Sequence, residues 1–175
     1  MGISQRAGFS LLELLICISI VAALSTVAIP AMGRMLAEIE LRSQSSLLSV
    51  ALARARLRAV ERSGVVTVCP SIDGHRCGAA VDWSRGWILF DDAQRLGQPA
   101  SGAEIVERAT LDPAHLRLTS TAGRRSLAFR ADGSSAGSNV TLTLCSRVHA
   151  GLGRQLIVNN AGRLRTAPLP AGRSC

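Results

Sequence analysis

One predominantly apolar run, residues 9–31 (FSLLELLICISIVAALSTVAIPA), constrains the fold of this chain more than any other feature. It reaches the ~20 residues that an α-helix needs to cross a bilayer. A similar run occurs in secretory signals, but there the small-residue cleavage site follows the apolar stretch. Here the order is reversed: Gly8 precedes the run and closes a polar octapeptide, MGISQRAG. Glu13 then puts a carboxylate inside the run. A charge at that depth is costly and marks a function with a partner close by.

Residues 8–16, GFSLLELLI, resemble the type IV prepilin motif. The resemblance implies cleavage between Gly8 and Phe9 by a prepilin peptidase on the cytoplasmic side, followed by N-methylation of the new Phe9 amine. It also implies that Glu13 pairs with the N-terminal amine of a neighbouring subunit during assembly. The pairing is physically reasonable, because a carboxylate in lipid needs a cation and a freshly exposed amine supplies one. The expected organisation is a leader over residues 1–8, a transmembrane and filament-core helix over 9–31, an amphipathic continuation over 32–62, and a periplasmic β domain over 63–175.

Residues 32–62 contain no proline. Met35, Ile39, Leu47, Leu48, Ala51, Ala55 and Val60 approximate one apolar face at helical spacing, with Glu38, Arg42, Arg54, Arg58 and Glu61 on the other. Pro30 is expected to kink the helix or break its hydrogen-bond ladder, and Gly64 to end it. Short β-like runs follow at residues 65–69, 86–90, 104–110, 116–120, 126–130, 140–145, 154–158 and 163–166. Asp132-Gly133 and Asn160-Ala161-Gly162 read as hairpin turns. Antiparallel strands on the second half of one helix make an α+β fold. A chain of 175 residues has room for one such domain and the additional helix, not for two full domains.

The segments VVTVCP, DWSRGWILFDD, LAFRADGSS, TLTLCS and IVNNAGRLRT are similar to the GspH/FimT group of minor pilins and pseudopilins, most of all to its FimT branch. This implies a type IV pilin-like fold: a long N-terminal helix, transmembrane in its first half, packed on a small antiparallel β-sheet domain. It implies a single-pass inner-membrane protein that later enters a pilus or pseudopilus. The implied partners are prepilin peptidase, inner-membrane lipid before assembly, and other major and minor pilins or pseudopilins. Trp83 and Trp87 fit packing positions in that pattern.

Five cysteines are present. Cys17 lies in the apolar run and is expected to be a free, buried thiol. Cys69, Cys77, Cys145 and Cys175 in a periplasmic domain point to two disulfides, with three possible connectivities. The pairing adopted is Cys69–Cys77, closing a short loop after a strand, and Cys145–Cys175, tying the last residue back to a strand. A metal site of Cys69, His75 and Cys77 matches no strong zinc spacing. No G-x-S-x-G or H-E-x-x-H motif occurs, and no lysine is available for a P-loop. His75, His115 and His149 are scattered, and Asp91-Asp92 reads as a strand end. Neither catalysis nor a cofactor or metal is expected.

All 20 basic residues are arginines, and they are unevenly placed. Residues 9–112 carry ten arginines against eleven acids, whereas residues 113–175 carry nine arginines against Asp132 alone. Such asymmetry points to a polyanionic partner or an acidic membrane surface. In the FimT branch the resemblance implies DNA capture through a basic C-terminal G-R-x-R motif, which Gly162-Arg163-Leu164-Arg165 matches. Strand alternation sends Arg163 and Arg165 to one face, ~7 Å apart at ~3.4 Å per residue. Arg154 and Arg173 are the expected neighbours, with Arg147, Arg124 and Arg125 as weaker candidates. Five aromatics and no tyrosine argue against base stacking, so duplex DNA held by its phosphates without sequence preference is the expected ligand. The other reading is a structural minor pseudopilin, or a pilus-priming subunit, with no DNA role.

Overall fold

A computed structural model of the chain describes residues 10–135, 137, 139–170, 172 and 175. The chain divides into two units between Leu36 and Ala37.

The first element, α1, spans Leu11–Glu61. It has Glu13 in its first turn and continues through Pro30. The ring removes one N–H donor from the hydrogen-bond ladder there. In the N-terminal unit the described helical residues are almost all exposed, and the stretch is long and apolar enough to cross a membrane. Cys17 is a free cysteine on this stretch and is exposed in the chain by itself.

In the second unit the buried side of α1 is Leu41, Ser45, Leu48, Ala51, Leu52, Ala55 and Ala59. These recur at steps of three and four, as one face of a helix requires. The apolar face expected from the sequence is therefore only partly the buried one: Leu48, Ala51 and Ala55 are buried, but Met35, Ile39, Leu47 and Val60 are exposed. At 3.6 residues per turn, Ile39, Val50 and Leu57 fall on roughly the opposite side of the helix from Leu41, Leu48 and Leu52, with Val60 on the flank. The helix thus carries two apolar stripes, and its own β domain covers one.

Eight strands follow: β1 Val66–Pro70, β2 Gly86–Asp91, β3 Ile105–Thr110, β4 Leu116–Ser120, β5 Leu127–Phe129, β6 Val140–Ser146, β7 Gly153–Val158 and β8 Leu164–Pro168. They form two four-stranded sheets, ordered β3-β2-β1-β5 and β4-β6-β7-β8, and neighbouring strands in both are antiparallel. The chain leaves the first sheet for β4, returns for β5, and leaves again for β6. One core joins α1 to both sheets through Leu48, Leu52, Val68, Leu89, Phe129, Leu142 and Leu156, with Trp83 and Trp87 buried inside it. The far face of the first sheet is buried as well, by Cys69, Ile88, Phe90 and Ile105 with Cys77 against them. Burial on both faces explains why β2 reads as a continuous apolar run rather than an alternating one.

Side chains also tie the helix to the sheets. Arg58 donates two hydrogen bonds to Asp91, Nε to Oδ1 at 2.6 Å and Nη2 to Oδ2 at 2.7 Å. Arg54 pairs with Glu107 of β3. Asp92 accepts from the Thr67 hydroxyl at 2.9 Å and from the Leu96 and Gly97 amides. The Asp91-Asp92 pair is therefore occupied with fastening a strand end.

Candidate nucleic-acid interface

The turn between β7 and β8 carries the G-R-x-R segment. The Gly162 amide donates to Asn159 O at 2.8 Å and the Asn159 amide to Arg163 O at 3.1 Å. The Arg163 amide donates to Asn159 Oδ1 at 2.9 Å. Gly162 has φ +70°, and a Cβ there would sit 2.0 Å from Gly133 O. Only glycine both adopts this backbone and lets the β5–β6 turn approach so closely. The two turns are joined further by the Ser135 amide donating to Asn160 O at 3.0 Å. Arg56 of α1 reaches both, donating Nε to Gly133 O at 2.9 Å and Nη2 to Ala161 O at 3.4 Å. The glycine of the motif is thus a packing seat on which the arginines are mounted.

Arg163 immediately precedes β8 and Arg165 lies within it; both are exposed. Arg165 stands opposite Ile157 of β7, and Ile157 opposite Thr141 of β6. Directly opposed residues share a face, and Leu142, Leu144, Leu156 and Val158 of the alternate set are in the core. Arg165 therefore lies on the outer face of the second sheet, and Arg163, two residues earlier, has the same facing. Among the described residues neither arginine forms an ion pair.

Arg154 does not join them. It stands opposite Leu144 and Pro168, in the inward-facing set, half-buried beside Leu41 and Glu38 of α1. Its Nε is buried and has no hydrogen-bond partner. The expectation that it neighbours Arg163 and Arg165 fails on strand parity. Arg173, the other expected neighbour, lies outside the described residues, as do Gly8 and Phe9. Arg147 follows β6, is exposed, and donates Nε to Leu116 O at 3.4 Å. Arg124 and Arg125 are exposed in the β4–β5 turn.

One arginine escaped the sequence reading. Arg117 of β4 is exposed and stands opposite Cys145 of β6, which stands opposite Gly153 of β7. It is on the same outer face as Arg165. The signal was present in LRLTS, where Leu116 and Leu118 alternate with Arg117 and Thr119. The nearby acid is Asp82, bridged through its backbone to Thr119. Burial works against its ionisation, but hydrogen bonds from Ser84 and the charges of Arg117 and Arg147 outweigh this and hold its carboxyl below the ordinary value.

Two disulfides are formed, Cys69–Cys77 with Cα atoms 5.5 Å apart and Cys145–Cys175 with Cα atoms 5.6 Å apart. The second brings the chain end onto the outer face of the second sheet. Gly153 makes room for it: a Cβ there would lie 3.0 Å from Cys175 Sγ and 2.9 Å from Leu144 O.

Comparison with known proteins agrees with this architecture. Residues 3–29 match the prokaryotic N-terminal methylation motif, and residues 44–162 match the family described as type II transport protein GspH. No curated protein matches significantly. The fold is similar to crystal structures of the type IV minor pilin FimU of Pseudomonas aeruginosa. One of these has a TM-score of 0.56 at 22% identity, covering 77% of this chain and 97% of that one; in another crystal form the TM-score is 0.57 at 24% identity, covering 78% and 92%. The minor pseudopilin EpsH of the Vibrio cholerae type 2 secretion system gives a TM-score of 0.53 at 15% identity, covering 77% and 99%. The family match spans well over half of the sequence, and the chain belongs to the GspH family of type IV minor pilins and pseudopilins.

Proposed function

We propose that this protein is a minor type IV pilin that enters a pilus and binds duplex DNA without sequence preference, for uptake in natural transformation. The supporting observation is the mounting of Arg163 and Arg165: exposed, on one face, unpaired among the described residues, and set on a turn seated by Gly162 and Arg56. Guanidinium groups so placed suit phosphate oxygens, and a phosphate-only interface is salt-sensitive. In this reading the chain starts in the inner membrane with its β domain in the periplasm. Prepilin peptidase cuts after Gly8, Phe9 is methylated, and Glu13 pairs with the N-terminal amine of an adjacent major or minor subunit.

The test is a mobility-shift titration of full-length protein in neutral detergent with duplex DNA at two salt concentrations. The parent should shift the DNA at low salt and lose affinity steeply as salt rises. Arg163→Gln/Arg165→Gln should bind more weakly and with a shallower salt slope, by ~0.9 log unit for each phosphate that it no longer neutralises. An equally tight folded double variant, or a parent that gives no shift, moves the assignment to a purely structural role. The likeness to EpsH and the exposed second stripe of α1 favour that second reading, a pseudopilus or pilus-priming subunit whose partners are other pilin-like chains.

A further inference from the structure

The outer face of the second sheet holds a groove of about 540 Å³ along β4 and β6. Its lining includes Arg117, Thr119, Thr121, Thr141 and Thr143, and Cys175 stands at the Arg117 end. Register places this lining in relation to Arg165. Arg165, Ile157 and Thr141 are successive cross-strand neighbours, and Thr121 closes the same row, its hydroxyl donating to Thr141 O at 3.2 Å. Arg117 lies four residues back along β4. With strands ~4.8 Å apart and a rise of ~3.4 Å per residue, Arg117 and Arg165 are ~20 Å apart diagonally across one face. The ground between them carries Ile157 beside Arg165 and then threonine hydroxyls. The nearby carboxylate, Asp82, already accepts from the Ser84 amide at 2.9 Å.

We propose that this groove is a second phosphate-binding subsite, in which a nucleic-acid strand held at Arg163 and Arg165 continues along β4–β6 to Arg117. The proposal rests on the DNA-binding reading above and extends its footprint from a hairpin to a sheet face. Its chemistry is that of a sugar-phosphate backbone: a guanidinium at the far end supplies charge-assisted hydrogen bonds, and the hydroxyls of Thr119, Thr141 and Thr143 on the floor donate to phosphate oxygens without reading bases. The occupant follows from charge complementarity and from continuity with the Arg163–Arg165 face.

The experiment compares Arg117→Gln, Arg163→Gln/Arg165→Gln and Arg95→Gln with the parent, each as full-length protein in neutral detergent titrated with duplex DNA. Arg95 is an exposed residue beyond the end of β2 and controls for net charge. Arg117→Gln should weaken binding at low salt. It should also reduce the parent's loss of affinity between roughly 50 and 200 mM salt by a factor of about three, as expected for one phosphate contact. Arg95→Gln should behave as the parent. If the β8 double variant is impaired while Arg117→Gln binds as the parent does, the groove is refuted and the hairpin site stands. If Arg117→Gln alone is impaired, the groove stands and the hairpin assignment falls. Equal losses in Arg117→Gln and Arg95→Gln reduce the effect to net charge and overturn the groove, as does a parent that gives no shift, which overturns both sites. Unchanged DNA binding by Arg117→Gln together with impaired co-assembly assigns the groove to another pilin subunit and also overturns the proposal.

Discussion

Asp91 shows how one side chain makes the fold pH-dependent. Its carboxyl is held below the usual aspartate range chiefly by the hydrogen bonds from Arg58; partial burial opposes this, and the charges of Arg58 and Arg62 add to it. A carboxyl whose folded pKa lies below its unfolded one stabilises the fold fully above the unfolded value. That contribution disappears as pH falls through the folded value. Asp91→Asn should therefore cost about 2 kcal/mol near neutrality, the scale of hydrogen bonds to a charged group. The gap between variant and parent should narrow under acid conditions, around pH 3 and below. Urea melts of both proteins at the two pH values check this; a gap that stays constant with pH would show that the charge on Asp91 is not its source.

At the scale of elements, the C-terminal disulfide makes the sharpest prediction. Cys145–Cys175 closes a loop of 30 residues in sequence, and chain entropy assigns such a closure about 3–4 kcal/mol. Non-reducing peptide mapping should recover this pair together with Cys69–Cys77, and in urea melts Cys145→Ser/Cys175→Ser should be less stable than the parent by that amount. A Cys77–Cys145 peptide, or free thiols at these four positions, would contradict the pairing. Much of the element order was readable in the sequence because turn residues bracket each strand: Gly133 and Gly162 sit at positive φ where the turns were expected. The division into two sheets was not readable, since alternation reports which way a strand faces and not which strand it pairs with. Arg154 was misplaced for a related reason. Whether it shares a face with Arg165 depends on the register set by the Asn159–Arg163 turn, where Arg165 opposes Ile157 and Arg154 opposes Pro168. The buried face of α1 was blurred because apolar residues on opposite sides, Leu48 and Val50 among them, compete for the same periodic signal.

For the whole molecule, every later step in the proposed function waits on the leader. Gly8→Ala should slow processing, because the added methyl crowds the peptidase site; mass spectrometry of membrane-extracted protein should find the parent beginning at Phe9 and the variant retaining Met1. A parent that keeps its leader, or is cut after Ala31, would rule out the prepilin assignment. The structure also bears on mechanics. β7 starts beside Leu41, where Gly153 and Leu41 line one pocket, and ends at the turn held by Arg56, so it runs lengthwise beside the helix. Tension applied to Arg163 and Arg165 along that direction loads the β7–β8 ladder in shear. Ladder hydrogen bonds lie across the strands, so they bear the load together instead of unzipping one by one. The Arg56 and Gly133 contacts give the hairpin tip a second anchorage directly on α1. Under the proposed function, a pull on the arginine pair would thereby be shared between a sheet and a helix, so that a captured polymer would not peel the domain open strand by strand.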